Sequence, residues 1–404
     1  MSIQAKTGLT GQTLSEEEFQ TGQVLTIVSG HFVHDTFSAF VSPLLPLIIE
    51  KLSLSFAGAG GLWAFFQIPA LLNPFIGYLA DRVSLRYFVI LAPAVTATLM
   101  SVMGLAPGYF VLALLLTVTG VSVAAFHAPA PAMVARISGP RLGKGMSMFM
   151  AGGELGRTVG PLLAVWAVSL WSLEGMYRLM VLGWAASAVL YWRLREIPAR
   201  PTRRQNWGAV LVSARRLFMP ILGIIVPREL MLTALSVYLP TLMRLEGASL
   251  WVAGASLSIW ELAGIGGALT SGTLSDRLGR RRVLLVTTLS SSLLMLWFLN
   301  ATGWMLVPIL LALGFTALSV TPVILAVVQE QMPENRAMAN GLFLSMAFMI
   351  RSAAAFVVGW LGDMMGLRQA FLWAAIVSLG SVPMVYFLPR LKTSPQDGGE
   401  AGSL

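Results

Sequence analysis

The 404-residue chain has no cysteine and few charged residues. Without cysteine it has no disulfide, thiolate metal ligand or thiol nucleophile, which excludes disulfide scaffolds and cysteine enzymes. Charged residues make up 11% of the chain, whereas soluble globular proteins average about 25%. Hydrophobic residues make up 56%, a composition that excludes intrinsic disorder and cannot cover a water-facing surface. The composition therefore predicts a membrane protein.

Long apolar runs recur along the chain at a length that suits membrane crossing. A bilayer core about 30 Å thick takes roughly 20 apolar residues as a helix. Twelve such runs predict an all-α polytopic membrane protein, and they lie near 23–49, 57–80, 87–106, 110–134, 145–170, 178–195, 217–243, 251–275, 283–301, 305–329, 338–361 and 370–389. The first 22 residues are polar, so we expect no cleavable signal peptide.

The basic residues predict the orientation of these runs. If the N-terminus is cytoplasmic, 20 of the 27 Lys and Arg residues lie in cytoplasmic segments and 4 lie on the other side. This asymmetry predicts that both termini are cytoplasmic, and we expect the bacterial inner membrane. The net charge of +9 is then a topology signal and does not indicate nucleic-acid binding. Seven arginines in 193–216 fit an interdomain linker, and binding to acidic lipid headgroups or a partner is the alternative.

The chain also repeats itself at about half its length. The stretch 77–86 recurs 195 residues later at 272–281, and an offset of 194 aligns Arg157 with Arg351. Two parallel six-helix halves are typical of a transporter that rocks about a central site. The predicted divisions are an N-terminal cytoplasmic segment at 1–22, a six-helix domain at 23–197, a basic cytoplasmic linker at 198–216, a second six-helix domain at 217–390 and a cytoplasmic tail at 391–404.

The two copies of the repeated loop carry one motif. Its residues are Gly77, Asp81, Arg82 and Arg86 in the first copy, and Gly272, Asp276, Arg277, Gly279, Arg280 and Arg281 in the second. We expect the first glycine to let helices approach closely, the aspartate to meet a helix N-terminus and the arginines to hold the loop at the interface. The motif resembles the loop signature of the major facilitator superfamily, which implies that superfamily's fold and a cytoplasmic gate. The first copy departs from the pattern at Ser84 and Leu85.

The fifth apolar run contains a second motif. Gly152, Gly156 and Gly160 are four residues apart and form a smooth strip on which another helix can pack, and Pro161 is expected to bend the helix. This stretch resembles the antiporter motif of drug-exporting members of the superfamily, which implies export. A plain helix-packing interface is the alternative.

Ionisable residues inside the apolar runs are costly, at about 2.5–3.5 kcal/mol each on insertion scales. Histidine and buried carboxylates suit proton exchange, and His31, His34 and Asp35 share one helical face. The predicted proton-coupling residues are Asp35, Glu154, Glu229, Glu261 and His31. A structural polar cluster and a metal site at the His-x-x-His-Asp spacing are the alternatives, although we expect no metal.

Two arginines at equivalent positions of the halves indicate an anionic substrate. Arginine offers planar, bidentate donors for phosphonate or carboxylate. The predicted substrate-binding residues are Arg157, Arg351, His34, His127 and Arg228. The alternative is that Arg157 pairs with Glu154 and Arg351 pairs with Glu261 as structural ion pairs.

The stretches 31–46, 126–132 and 143–157 resemble the fosmidomycin-resistance proteins of bacteria. The resemblance implies a proton-driven exporter of a small anionic phosphonate drug that is not an enzyme and needs no cofactor. The expected partners are the anionic substrate, protons and membrane lipids, with no nucleic acid, and we expect a monomer. A symporter or exchanger of an anionic metabolite is the nearer alternative, and a membrane-embedded enzyme or sensor is the distant one.

Overall fold

The computed structural model describes residues 19–80, 85–195, 208–332 and 336–388, and in these ranges every regular element is a helix. They form twelve crossings, which we number as spans. Spans 1 to 6 are Thr21–Ser38 with Val41–Leu52, Phe56–Leu72 with Asn73–Ala80, Arg86–Leu105, Tyr109–His127 with Ala130–Ser138, Leu142–Gly175, and Met180–Leu194. Spans 7 to 12 are Gly208–Thr233 with Ala234–Tyr238 and Leu239–Leu245, Leu250–Leu278, Arg280–Phe298, Leu306–Leu318 with Val320–Gln331, Arg336–Met365, and Leu367–Leu379.

Within the described ranges, nine stretches are long and apolar enough to cross a membrane. One of them, Tyr109–Leu194, has 86 residues and contains spans 4, 5 and 6. The chain turns at Gly139, between spans 4 and 5, and at Ser172, near the end of span 5, with φ angles of 50° and 63°. At about 1.5 Å per residue, no single straight helix of that length fits a bilayer core, so the twelve-helix expectation is confirmed. The helix of span 7 begins at Gly208, and residues 208–216 of the expected linker are therefore helical.

Contacts near the ends of the spans define the two ends of the helix bundle. At the end where the described chain starts and stops, the backbone N–H of Gln20 donates to Ile137 and Arg281 donates to the carbonyl oxygen of Leu388. We call this end the terminal face. At the other end, the distal face, Lys51 and Glu174 form an ion pair of 2.6 Å.

Spans of the two halves meet at the distal face. Tyr238 of span 7 is fully buried, and its hydroxyl lies 2.9 Å from the carbonyl oxygen of Phe56 in span 2 and 2.8 Å from that of Ala355 in span 11. The Asp363 carboxylate of span 11 accepts hydrogen bonds from the backbone N–H groups of Phe56 and Ala57, at 2.7 and 2.9 Å. These N–H groups are the first donors of a helix and have no partner inside it, so a carboxylate stabilises that end. We call these contacts the distal latch.

The glycine strip of span 5 packs against span 1. A Cβ atom added at Gly152 would lie 2.9 Å from the carbonyl oxygen of Val28, and one at Gly156 would lie 3.0 Å from the backbone nitrogen of Thr36. These neighbours are backbone atoms, which cannot move aside singly. The expected close packing is thus confirmed, and it fixes the depth at which span 1 presents its polar residues. The helix continues through Pro161, since its one non-helical residue is Ser172.

Candidate functional site

Three side chains from two spans converge in the first half. His31 and Asp35 lie one turn apart on span 1, and His127 ends the first helix of span 4. The Nε2 atoms of the two histidines are 3.2 Å apart. Asp35 places one carboxylate oxygen 3.4 Å from Nε2 of His31 and the other 3.4 Å from Nε2 of His127. We call His31, Asp35 and His127 the His–Asp–His cluster.

Arg157 of span 5 joins this cluster to a group of acidic residues. Its guanidinium forms an ion pair with Glu154 on the same helix, as the three-residue spacing predicts. It also lies 3.6 Å from the Asp35 carboxylate and 3.9 Å from that of Glu261 on span 8. One arginine therefore contacts acidic residues from both halves of the chain.

Arg351, the equivalent residue of the second half, pairs with a different acidic residue from the one expected. Its Nε atom lies 3.1 Å from the Glu229 carboxylate of span 7, whereas Glu261 is the residue that pairs with Arg157. The predicted Arg351–Glu261 pair is therefore wrong. Equivalent arginines do not require equivalent carboxylates, because span 8 reaches across the interface to span 5.

Two further predicted site residues lie beside these groups without joining their ion pairs, and the ring centroid of His34 is 5.5 Å from that of His127. Arg228 is fully buried and donates to the carbonyl oxygen of Ala317. His34 is also fully buried, and its ring stacks on Phe126 with centroids 4.5 Å apart. Neither ring nitrogen of His34 has a hydrogen-bond partner among the described residues. The shared face of His34 and Asp35 on span 1 thus does not bring His34 into the cluster.

The second loop motif links three spans of the second half. Asp276 at the end of span 8 forms an ion pair with Arg280; among the described residues it makes no hydrogen bond to a helix N-terminus, so that expected contact stays a prediction. Arg280 also pairs with Glu330 at the end of span 10, at 2.7 Å. Gly279 has a φ of 90°, a conformation that side chains disfavour. Among the described residues, a Cβ atom at Gly272 would have no neighbour within 4 Å, so they show no close approach of helices at Gly272, contrary to the expectation.

The first loop motif is described only at its two ends. Gly77 lies in span 2, and Arg86 begins span 3 with its guanidinium 5.1 Å from the ring centroid of Tyr87. Asp81 and Arg82 lie outside the described residues. The comparison of the two motif copies therefore stays a prediction.

Several residues that contact the site or join spans were not among the residues predicted from the sequence. Gly153 lies against the cluster, since a Cβ atom there would come 2.6 Å from Nε2 of His31 and 2.9 Å from the Asp35 carboxylate. Its position beside Gly152 of the glycine strip was the available hint. No repeated motif contains Glu330, Tyr238 or Asp363. Their partners are known only from the packing of the spans.

Comparisons with known proteins agree with this architecture. The model of the Major Facilitator Superfamily matches residues 27–286 and 230–403. The chain is 27% identical over 375 residues to the fosmidomycin resistance protein of Escherichia coli (strain K12), which covers 89% of this chain and 90% of that one. It is 25% identical over 283 residues to the multidrug resistance protein MdtG of Dickeya zeae (strain Ech586), covering 66% and 69%.

Among solved structures, the nucleoside transporter NupG superposes with a TM-score of 0.73 at 17% identity, covering 91% of this chain and 100% of that one. At this identity the likeness supports the fold alone. The sequence relatives and the membrane-spanning helices are those of multi-pass transport proteins. The two matches to the superfamily model together span nearly all of both six-helix halves, and the chain belongs to the Major Facilitator Superfamily.

Proposed function

We propose that this protein exports a small anionic drug, fosmidomycin or a related phosphonate, in exchange for protons. Export would proceed by alternating access in the bacterial inner membrane, with both termini in the cytoplasm. The observation that carries the proposal is the pair of arginines, Arg157 and Arg351, at equivalent positions of the two halves. Their side chains keep 40% and 32% of their exposure, so donors remain open to an anionic group. The fosmidomycin resistance protein named above supports a phosphonate as the drug.

Each arginine is held by carboxylates that a substrate anion would have to replace. Glu229 holds Arg351, and Glu154 and Glu261 hold Arg157. A phosphonate would replace the carboxylate by accepting the guanidinium donors in bidentate form. Antiport requires that drug and proton occupy the site in alternation: once the drug has left at the distal face, a proton binds one of these carboxylates there, and it is released to the cytoplasm before the next drug molecule binds. This alternation would couple proton entry to drug exit.

The packing of the halves favours substrate entry from the terminal face. The distal latch joins the halves at the other end, through Tyr238 and Asp363. Near the terminal ends of spans 5 and 8, Cβ atoms at Gly143 and Gly272 would have no described neighbour within 4 Å. Drug from the cytoplasm would thus reach Arg157 and Arg351 while the distal face is closed.

The experiment is drug uptake into inverted membrane vesicles from a strain without its own efflux systems. An imposed pH gradient should drive fosmidomycin uptake by the wild type, and Arg157→Ala and Arg351→Ala should abolish it. Arg351→Lys should retain a small part of the wild-type uptake, because a lysine ammonium cannot replace the bidentate donors of a guanidinium. Arg244→Ala is the matched control, since this arginine donates to Ala248 at the distal face.

A second variant separates binding from coupling. Glu229→Gln should still bind the drug but should lose its response to the pH gradient, since glutamine keeps the shape without exchanging a proton. Wild-type transport by both arginine-to-alanine variants would refute the anion site. Flux in the direction of the protons would instead support a symporter of an anionic metabolite.

A further inference from the structure

The two histidines of the His–Asp–His cluster are oriented by backbone carbonyl groups. Nδ1 of His31 lies 2.8 Å from the carbonyl oxygen of Phe149, and Nδ1 of His127 lies 3.0 Å from that of Val123. A carbonyl oxygen can only accept, so in each neutral ring the hydrogen resides on Nδ1. Each Nε2 atom is then left with a lone pair, and the two lone pairs face each other across 3.2 Å.

The Asp35 carboxylate supplies the third acceptor group. One of its oxygens lies 3.4 Å from Nε2 of His31 and the other lies 3.4 Å from Nε2 of His127, and ligand atoms of the three residues lie within 4.8 Å of one another. A tetrahedral zinc site with bonds of about 2.0–2.1 Å has ligand atoms about 3.3–3.4 Å apart. The two Nε2 atoms, 3.2 Å apart, are close to this spacing, and rotation of the carboxylate would bring one oxygen toward both of them.

The surroundings hold these ligands in place. Carbonyl groups on the outer nitrogens of ligating histidines are typical of metal sites, because they fix the ring orientation. The ring of His31 also stacks on Phe149, with centroids 4.0 Å apart. Arg157 lies 3.6 Å from the Asp35 carboxylate and would serve as its outer partner. Gly153 leaves space beside the ligands, since a Cβ atom at this position would press on both His31 and Asp35.

The local charge favours a divalent cation. Asp35, Glu154 and Glu261 surround Arg157, so the group carries a net charge of −2 when both imidazoles are neutral. The neighbouring Arg351 and Glu229 form an ion pair, and the buried Arg228 beside them gives that second group one positive charge. The excess negative charge around Asp35 favours a bound cation.

We propose that His31, Asp35 and His127 form a binding site for a divalent transition-metal ion such as Zn²⁺. The ion is held by two Nε2 atoms and the Asp35 carboxylate. Imidazole ligands favour zinc, nickel and copper over magnesium and calcium, which require oxygen ligands. The side chain of His127 is 33% exposed, so a fourth coordination position is open to water or to an anionic group. The proposal does not depend on the transport function.

The test is metal binding by the purified full-length chain. Affinity purification should use a tag without histidine, because the chain itself has only three histidines and no cysteine. Titration of Zn²⁺ against a chromophoric chelator should give one ion per chain, and excess Mg²⁺ should not compete. Co²⁺ should give the visible absorption bands of a tetrahedral site. Zn²⁺ should also raise the temperature of unfolding.

Variants of single ligands locate the site. His127→Asn and Asp35→Asn should weaken Zn²⁺ binding at least about tenfold. His34→Asn is the matched control, since this buried histidine lies beside the cluster on the same helix but is not one of its ligands, and the variant should bind Zn²⁺ with the affinity of the wild type. Gly153→Ala keeps all three ligands but fills the space between them, and it should also weaken binding. Unfolding temperatures without metal identify any variant that is misfolded.

The absence of Zn²⁺ binding by the wild type would overturn the proposal and leave a shared proton as the occupant of the cluster. An equal loss in His34→Asn and His127→Asn would also overturn it. Neither result bears on drug export, which the vesicle experiment with Arg351→Ala tests without added metal. Failure of one proposal is thus distinguishable from failure of the other.

Discussion

Removal of the Tyr238 hydroxyl should weaken the distal latch. This hydroxyl lies between Phe56 of the first half and Ala355 of the second, at 2.9 and 2.8 Å from their carbonyl oxygens. It has one hydrogen and donates to one carbonyl group at a time. Tyr238 and Ala355 belong to the same half, so only the contact with Phe56 has to break when the halves separate at the distal face.

The expected magnitude follows from that one contact. A buried hydrogen bond between neutral groups contributes about 0.5–1.5 kcal/mol net. Tyr238→Phe keeps the ring and its packing. Because the hydroxyl can still donate to Ala355 after the halves separate, this contribution is the upper limit of the loss, and the equilibrium between the distal-closed and distal-open conformations should shift by up to about twelvefold toward the open one.

The assay is a distance measurement across the distal face. The chain has no cysteine, so nitroxide labels attach only at introduced positions such as Gly108→Cys and Met364→Cys. Gly108 has no neighbour within 4 Å of its Cβ position, and Met364 is 63% exposed. Pulsed EPR in proteoliposomes should report a larger population at the longer distance in Tyr238→Phe.

Tyr177→Phe is the matched control for this measurement, because it removes a hydroxyl from an exposed tyrosine at the same face. It should leave the distance distribution unchanged. If Tyr238→Phe gives the wild-type distribution both with and without drug, the latch does not hold the distal face closed. An equal shift in both variants would refute the reasoning as well.

Two pairs of glycine variants test the packing and the loop geometry through the free energy of unfolding in detergent. Gly156→Ala should destabilise the protein by about 1–3 kcal/mol, since its Cβ atom would lie 2.5 Å from the carbonyl oxygen of Phe32. Gly143→Ala in the same helix has open space around its Cβ position and should not destabilise the protein. Gly279→Ala should cost about 1–3 kcal/mol because φ is 90° there, while Gly272→Ala should be neutral. Equal effects within either pair would contradict the structural assignment.

The twelve crossings and their division into two halves could be predicted from local features. The length of an apolar run predicts a span, and a repeat with an offset of 194 makes Arg157 and Arg351 equivalent. Ion pairs within one helix could also be predicted, since Arg157 and Glu154 are three residues apart and form an ion pair. Each of these inferences needs only the chain's own periodicity.

The contacts between spans were decided by the tertiary structure. His127 lies 96 residues from His31, and Glu229 lies 122 residues from Arg351, with no repeat or motif to connect them. Whether Asp35 meets His127 depends on the rotation and depth of span 1, which the glycine strip of span 5 sets by backbone contact. A helix pattern states which residues share a face, but the partner of that face depends on how neighbouring helices pack. The sequence by itself therefore determined the helices and their order, and packing alone decided which charges meet.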